Sequence, residues 1–283
     1  MDRCCPLCSS SAIRVTDRLS REYAGREFVL SLGKCQACSF VFLLNDPHIQ
    51  YDQDYLSLEN VISAGSAIAR FRAEERIASI AKKIPPIPGN HFLDIGIGDG
   101  LLLSIAEKAG YLTYGLDVNP YAIEIARDLH GISSDVRLDP LARAFPETLF
   151  AVIHMNEVIE HLADPMAMLL WCRDHLTENG IVVINTGNID SIASRLMGRK
   201  WNYFRPAHVS YFSTRTLGFA LGQAGLELTH RATIDWRLGS VFRLAQSLLI
   251  REGITAALGL IMLYISALPY GIRRSMLVFA GHE

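Results

Sequence analysis

Residues 156–165 read Asn-Glu-Val-Ile-Glu-His-Leu-Ala-Asp-Pro, and Glu157, Glu160 and His161 are the first candidates for chemistry. In a helical turn they take positions i, i+3 and i+4 and share one face. A neutral imidazole can accept a proton near pH 7, whereas a glutamate does so only if its pKa is raised. His161 is therefore the candidate base, with the two glutamates as braces of the loop. A second set lies at the N-terminus, where Cys5-Pro6-Leu7-Cys8 and Cys35-Gln36-Ala37-Cys38 are two C-x-x-C knuckles separated by 26 residues. Each knuckle presents two thiolates on one turn, and Cys5, Cys8, Cys35 and Cys38 together complete a tetrahedral shell for structural zinc. The competing readings are a disulfide pair and a redox C-x-x-C, which suit a secreted or thioredoxin-like chain. Cys4 is a spare thiol, and Cys172 reads as a core cysteine.

The chain has 283 residues, 50% hydrophobic and 20% charged, enough for a sizeable core and inconsistent with wholesale disorder. The formal net charge of -2 argues against a generic nucleic-acid coat. Ile13 to Val15 and Glu27 to Leu32 alternate as a short hairpin between the knuckles. About 40 residues bury little core, so a metal would supply the missing folding energy of a zinc ribbon over residues 1–45. After the breaker cluster Pro85-Pro86-Ile87-Pro88-Gly89 the pattern changes to strands alternating with helices. His91 to Ile95 is an apolar strand, Gly96-Ile97-Gly98-Asp99-Gly100 a turn, and Leu101 to Ala109 a helix. Leu112 to Val118 is a second strand, ending in Asp117-Val118-Asn119-Pro120 before a helix from Tyr121 to Leu129. A glycine turn between strand and helix lets a ligand approach bare backbone, and an acid at the next strand end can grip a ribose diol. A dinucleotide fingerprint would read G-x-G-x-x-G, whereas Gly96, Gly98 and Gly100 follow G-x-G-x-G. That spacing sets the dehydrogenase reading aside.

Phe92 to Gly100, with Asp117 following, resembles the first motifs of the class I S-adenosylmethionine-dependent methyltransferases. Phe150 to Pro165 is similar to their fourth strand and its loop, and Leu176 to Asn185 to their turn and fifth strand. The resemblance runs from about Ala67 to Leu228 and implies an α/β, Rossmann-like seven-stranded sheet over residues 46–283. It further implies S-adenosylmethionine as cofactor, bound by Asp94, Gly96, Gly98, Gly100, Asp117, Val118 and Asn156. Asp139, or else Asp135, would meet the adenine, with Asp139 preferred for its spacing from Phe150. Ala151 departs from the family, which has Asp there, and the third-strand region is poorly patterned.

The Glu-Val-Ile-Glu-His run is similar to that of ubiquinone-pathway O-methyltransferases and of small-RNA 2′-O-methyltransferases. The latter resemblance implies a divalent metal on Glu157, Glu160 and His161, with His208 as a fourth ligand. Many relatives keep the Glu-His pair without a metal, so both mechanisms stay open. Pro206 to Leu217 resembles a stretch common in bacterial small-molecule methyltransferases, which puts His208 by the acceptor pocket. Ser213 is the N-cap of the next helix on its residue type alone.

Arg195, Arg199, Lys200 and Arg205 interleave with Trp201, Tyr203 and Phe204, a segment able to clamp a phosphate and stack on a ring, or simply a solvated basic loop. The ribbon followed by this sheet resembles methyltransferases of bacterial deoxysugar, polysaccharide and secondary-metabolite pathways, which implies a small-molecule acceptor, and an anionic or lipid-linked sugar or glycan intermediate fits this segment loosely. An RNA methyltransferase using the ribbon to hold RNA is the alternative. Residues 1–45 carry six Lys or Arg against four acids without a dense aromatic-basic stripe, which weighs against nucleic acid. A non-catalytic cofactor-binding or assembly module is a third reading, disfavoured by Asp117 and the Glu-His loop. Gly253 to Ile272 has no charge, yet Pro269, Gly259 and Gly271 interrupt it and Ser275 to Ala280 reads as the antiparallel seventh strand. The apolar helices over about 238–272 are thus expected as an insertion that lids the pocket, forms a dimer face or dips into a membrane surface. The first ten residues lack an apolar leader, so a cytoplasmic setting, with membrane association through that insertion, is the expectation.

Overall fold

Strands β1 (Ile13–Tyr23), β2 (Arg26–Cys35) and β3 (Val41–Leu43) form the N-terminal ribbon in a computed structural model that describes residues 4–23, 25–45, 47, 67–138, 143–233 and 275–282. Helix α1 (Ala67–Ala81) leads into a run of strands and helices. These are β4 (His91–Ile95), α2 (Leu101–Ala109), β5 (Leu112–Leu116), α3 (Pro120–His130), β6 (Asp135–Arg137) and β7 (Phe150–Asn156). Next come α4 (Pro165–Asp174), β8 (Leu176–Gly187), α5 (Ile192–Met197), β9 (Ser210–Tyr211), α6 (Thr214–Gln223), β10 (Leu226–Thr233) and β11 (Ser275–His282). The main sheet has seven strands in the order β10-β11-β8-β7-β4-β5-β6. β11 runs antiparallel to both β10 and β8, as expected for Ser275 to Ala280, and the strands from β8 to β6 are parallel. This is the Rossmann-like sheet anticipated from the motifs.

The local reasons are legible. Phe150 to Met155 are buried on both faces, which suits a central parallel strand and not an alternating one. Asn119 caps α3 through its side chain on the Tyr121 N–H, Pro120 stands at the first helical position, and Gly131 ends the helix at φ 60°. Ser213 and Thr216 form a reciprocal capping box on α6. Two expectations change. β8 begins at Leu176, so the predicted turn at Leu176 to Gly180 is part of the strand, absorbed by a register shift between Phe150 and Val152. The third strand is only Asp135–Arg137, and Asp135, the alternative to Asp139, opens it at its amino end with its carboxylate on Arg137. Asp139 and the 238–272 insertion lie outside the described residues. Among the described residues no helix is long and apolar enough to cross a membrane.

The ribbon is annealed to the rest. β3 pairs with β9, so a second sheet runs β1-β2-β3-β9, with Val41 opposite Tyr211 and Phe42 opposite Ser210. Cys5, Cys35, Cys38, Phe40 and Phe42 belong to the same apolar cluster as the main-sheet strands β7 and β8.

Candidate active site

The chain leaves β4 through Gly96, Gly98 and Gly100, all at positive φ (74°, 55° and 79°). A Cβ on Gly96 would sit 2.5 Å from Val158 Cγ2, and one on Gly100 would meet Ile132 and Ala126, so both serve close packing. Nothing lies within 4 Å of where a Gly98 Cβ would be, so the middle glycine opens onto a cradle of bare backbone. Its N–H donates to Asp117 Oδ2 at 3.1 Å, and the Asn119 N–H donates to Asp117 Oδ1 at 2.9 Å. The carboxylate is thereby aimed while each oxygen keeps a lone pair. Burial raises the Asp117 pKa, against the backbone N–H bonds that lower it. Val118 beside it is 71% exposed, an apolar shelf at the strand end.

Asp94 is not part of that open surface. It is buried, and its Oδ1 accepts from His154 Nδ1 at 2.7 Å. With Nδ1 donating, His154 Nε2 is an acceptor, and Arg76 Nη1 reaches it at 3.3 Å and Asn156 Oδ1 at 2.6 Å. Asn156 Oδ1 also accepts from Asn185 Nδ2 at 2.7 Å. Asp94 therefore braces the turn from behind. Burial lowers the Arg76 pKa to about 10 and depresses that of His154, against the pull of Asp94. Among the described residues no carboxylate pairs with Arg76. Arg76 and His154 were not among the expected site residues. The available signal was a charge on the stripe of α1 that buries Ala73, Ile77 and Ile80, and a histidine inside an otherwise apolar strand.

Glu157, Glu160 and His161 do not share one helical face, although the Glu157 carboxylate still lies beside that of Glu160. Glu157 takes the left-handed region at φ 55°, with its N–H on the Asn185 carbonyl at 2.8 Å, and a 3₁₀ turn spans only Ile159–His161. The chain needs that kink because Val158 must drop over Gly96 as β7 ends. Instead of Glu157, His208 joins the other two: one ligand atom each from Glu160, His161 and His208 lies within 4.8 Å of the others. The two imidazoles meet edge to face with ring centres 4.7 Å apart. His161 Nδ1 donates to the Ala207 carbonyl at 2.9 Å and His208 Nδ1 to the Tyr203 carbonyl at 2.8 Å, so in a neutral ring Nε2 is the lone-pair atom. Burial, with Arg205 nearby, lowers His161 to about 4 despite the bond to Ala207. Glu160 is fully buried and held well above the usual carboxylate range by burial and by the charge of Glu157. Tyr203 OH donates to its Oε1 and Thr186 Oγ1 to its Oε2 at 2.9 Å.

The ring-stacking expectation for residues 195–205 is also corrected. Trp201, Tyr203 and Phe204 are buried beneath the ribbon against Leu19, Leu30 and Tyr211, so none is open to stack on an acceptor. Arg195, Arg199, Lys200 and Arg205 stay exposed, and Arg199 is drawn to the Arg18 carbonyl at 2.7 Å.

At the other end of the ribbon, the sulfurs of Cys5, Cys8, Cys35 and Cys38 all lie within 4.8 Å of one another. Cys5 Sγ is 3.5 Å from Cys38 Sγ, and Cys8 Sγ is 3.6 Å from Cys35 Sγ. Tetrahedral zinc with bonds of about 2.3 Å separates its sulfurs by roughly 3.8 Å, so the cluster has the dimensions the ion needs. Although burial opposes it, the Cys38 and Ala37 N–H groups bring Cys35 down to about 7, while burial pushes Cys38 up to about 11. Cys4 is exposed and outside the cluster, and Cys172 is buried in the core.

A methyltransferase-domain family profile matches residues 68–231, which include the glycine turn, Asp117 and the Glu-His loop. The chain belongs to this methyltransferase family. The methyltransferase is 38% identical over 125 residues to a ubiquinone biosynthesis O-methyltransferase of Cereibacter sphaeroides (strain ATCC 17025 / ATH 2.4.3), covering 41% of this chain and 49% of that protein. It is 32% identical over 119 residues to the enzyme of the same description from Xylella fastidiosa (strain 9a5c), covering 40% and 48%. The chain thus spans about half the length of the curated relatives it matches. Among solved structures it is similar to the plantazolicin methyltransferase BpumL in complex with SAH, with TM-score 0.55, 16% identity, and coverage of 81% of this chain and 90% of that one. It is also similar to the [4+2]-cyclase SpnF, with TM-score 0.52, 16% identity, and coverage of 74% and 81%. At such identities the likeness is one of fold, and a fold shared with a cyclase leaves the reaction to the site.

Proposed function

We propose that this methyltransferase moves a methyl group from S-adenosylmethionine to a hydroxyl of a small-molecule acceptor. One observation carries the reading: the open Gly98–Asp117 cradle and the lone-pair edge of His161 both follow the carboxyl ends of neighbouring parallel strands, where such sheets bind ligands. The relatives described as O-methyltransferases favour oxygen as the acceptor atom. When bound, S-adenosylmethionine supplies a methyl on a sulfonium, which leaves the protein to align the acceptor and take its proton. Asp117 would hold the ribose diol, and Arg76, a half-buried guanidinium that ion-pairs with no carboxylate among the described residues, would hold the carboxylate of the methionine part. His161, neutral and tethered at Nδ1, would take the acceptor proton at Nε2. The test is calorimetric titration with S-adenosylhomocysteine, followed by transfer of labelled methyl to a panel of phenols and sugars. Absence of binding by the zinc-loaded protein would remove the reading.

A second mechanism has its own support in the proximity of Glu160, His161 and His208. Those three could hold a divalent cation that lowers the pKa of the acceptor hydroxyl. Both glutamate oxygens already accept hydroxyl protons, so a cation there would share the carboxylate with Tyr203 and Thr186. The four thiolates of the ribbon would hold a separate, structural zinc.

A further inference from the structure

The segment from Trp201 to Phe212 lies between the ribbon and the Glu160–His161 turn, bonded to both. On the ribbon side, β9 pairs with β3, and the Leu43 N–H donates to the Val209 carbonyl at 2.9 Å. Arg21 Nε donates to the Phe204 carbonyl at 3.0 Å, and the Phe40 and Phe212 rings are 4.9 Å apart. Just past the segment, Arg215 donates to Ser39 Oγ at 2.8 Å and to the Cys38 carbonyl at 3.3 Å, inside the second knuckle. On the other side, the Val209 N–H donates to the Glu160 carbonyl at 2.9 Å, and Ser210 Oγ to the Leu162 carbonyl at 3.0 Å. The Ala207 carbonyl holds His161, and Tyr203 OH reaches Glu160. The glycine turn and Asp117 bond to one another, to Asn119 and to the Leu116 and Arg137 carbonyls, and among the described residues none of these bonds reaches the ribbon.

We propose that the ribbon is the acceptor-side wall of the site. Through residues 201–212 it sets Tyr203 and His208 against Glu160 and His161, and loading of the four thiolates governs that half while leaving the cofactor half alone. The word acceptor here rests on the methyl-transfer reading above, but the coupling does not. A short segment with so little regular structure owes its order to what packs on it, and a ribbon of this size owes its order to its metal.

The experiment is amide hydrogen exchange on the full chain, loaded with Zn²⁺, stripped by chelator, and reloaded. Stripping should speed exchange in peptides covering 199–212 and 157–162 at least tenfold, reversibly, with peptides covering 91–118 unchanged. Affinity for S-adenosylhomocysteine should stay within threefold. Unchanged protection at 199–212 after stripping, or no zinc in the purified protein, overturns the proposal. So does equal loss at 91–118, which would make the metal a prop for the whole fold. Arg21→Ala in the zinc-loaded protein is the second variant, cutting the Phe204 contact while sparing the thiolates. It should raise exchange at 199–212 with zinc content unchanged, and full protection there counts against the coupling. If the zinc-loaded protein fails to bind S-adenosylhomocysteine, methyl transfer falls while the exchange comparison still decides the coupling.

Discussion

The ring of Tyr203 fills the space that a side chain on Gly187 would need. A Cβ built there falls 2.7 Å from Tyr203 Cδ1 and closer still to Cε1 and Cζ, while the Gly187 N–H donates to the Tyr203 hydroxyl at 2.7 Å. Because that N–H occupies the oxygen from one side, the phenol proton is directed to Glu160. Gly187→Ala should therefore push the ring off the carboxylate, costing about 1–3 kcal/mol of stability and most of the turnover. Thermal unfolding and methyl transfer read the two effects, and calorimetry should find cofactor affinity retained.

Cofactor affinity should instead respond to Asp117 and Arg76. Asp117 is aimed by the Gly98 and Asn119 N–H groups, and Arg76 by Asn156. A charge-assisted hydrogen bond contributes on the order of 1.5–3 kcal/mol, so Asp117→Ala or Arg76→Met should weaken S-adenosylhomocysteine binding at least about tenfold. Unchanged calorimetric affinity in either variant removes that residue from the site.

His161 sets the pH behaviour. Its pKa is lowered from 6.5 to about 4, chiefly by burial, so the folded protein keeps it neutral where the unfolded chain already takes up a proton. The stability it confers is full above 6.5 and drains away as pH falls through that value toward 4. Proton-coupled NMR of the imidazole should show no titration between pH 7 and 6. A midpoint near 6.5 would contradict the burial. As a base, His161 should cost roughly 10²-fold or more in turnover when changed to Ala, with cofactor binding nearly intact.

Metal analysis separates the two mechanisms. Elemental analysis of protein purified without chelator should find one zinc per chain at the thiolates. Mild EDTA that leaves this zinc in place should abolish turnover only if Glu160, His161 and His208 hold a second cation. Full activity after such treatment assigns the proton to His161 alone.

Much of this was written locally. The turn at Gly96 to Gly100, the acid at Asp117 and the caps at Asn119 and Ser213 depend on residues a few positions apart, where backbone sterics and one side-chain hydrogen bond decide. The two knuckles are likewise short-range, and only one ion geometry suits four thiolates so paired. What tertiary structure decided is which distant groups share a burial. Asp94 looks like a ligand residue until His154, 60 residues on, takes its oxygen. Glu157 looks like a partner of His161 until Val158 must cover Gly96, which turns the backbone left-handed and passes the place to His208. Trp201, Tyr203 and Phe204 look like a surface for a ring until the hairpin of β1 and β2 closes over them. In each case the deciding force is desolvation, since a buried polar group must find a partner and an apolar ring must leave water. Neither requirement carries a sequence separation.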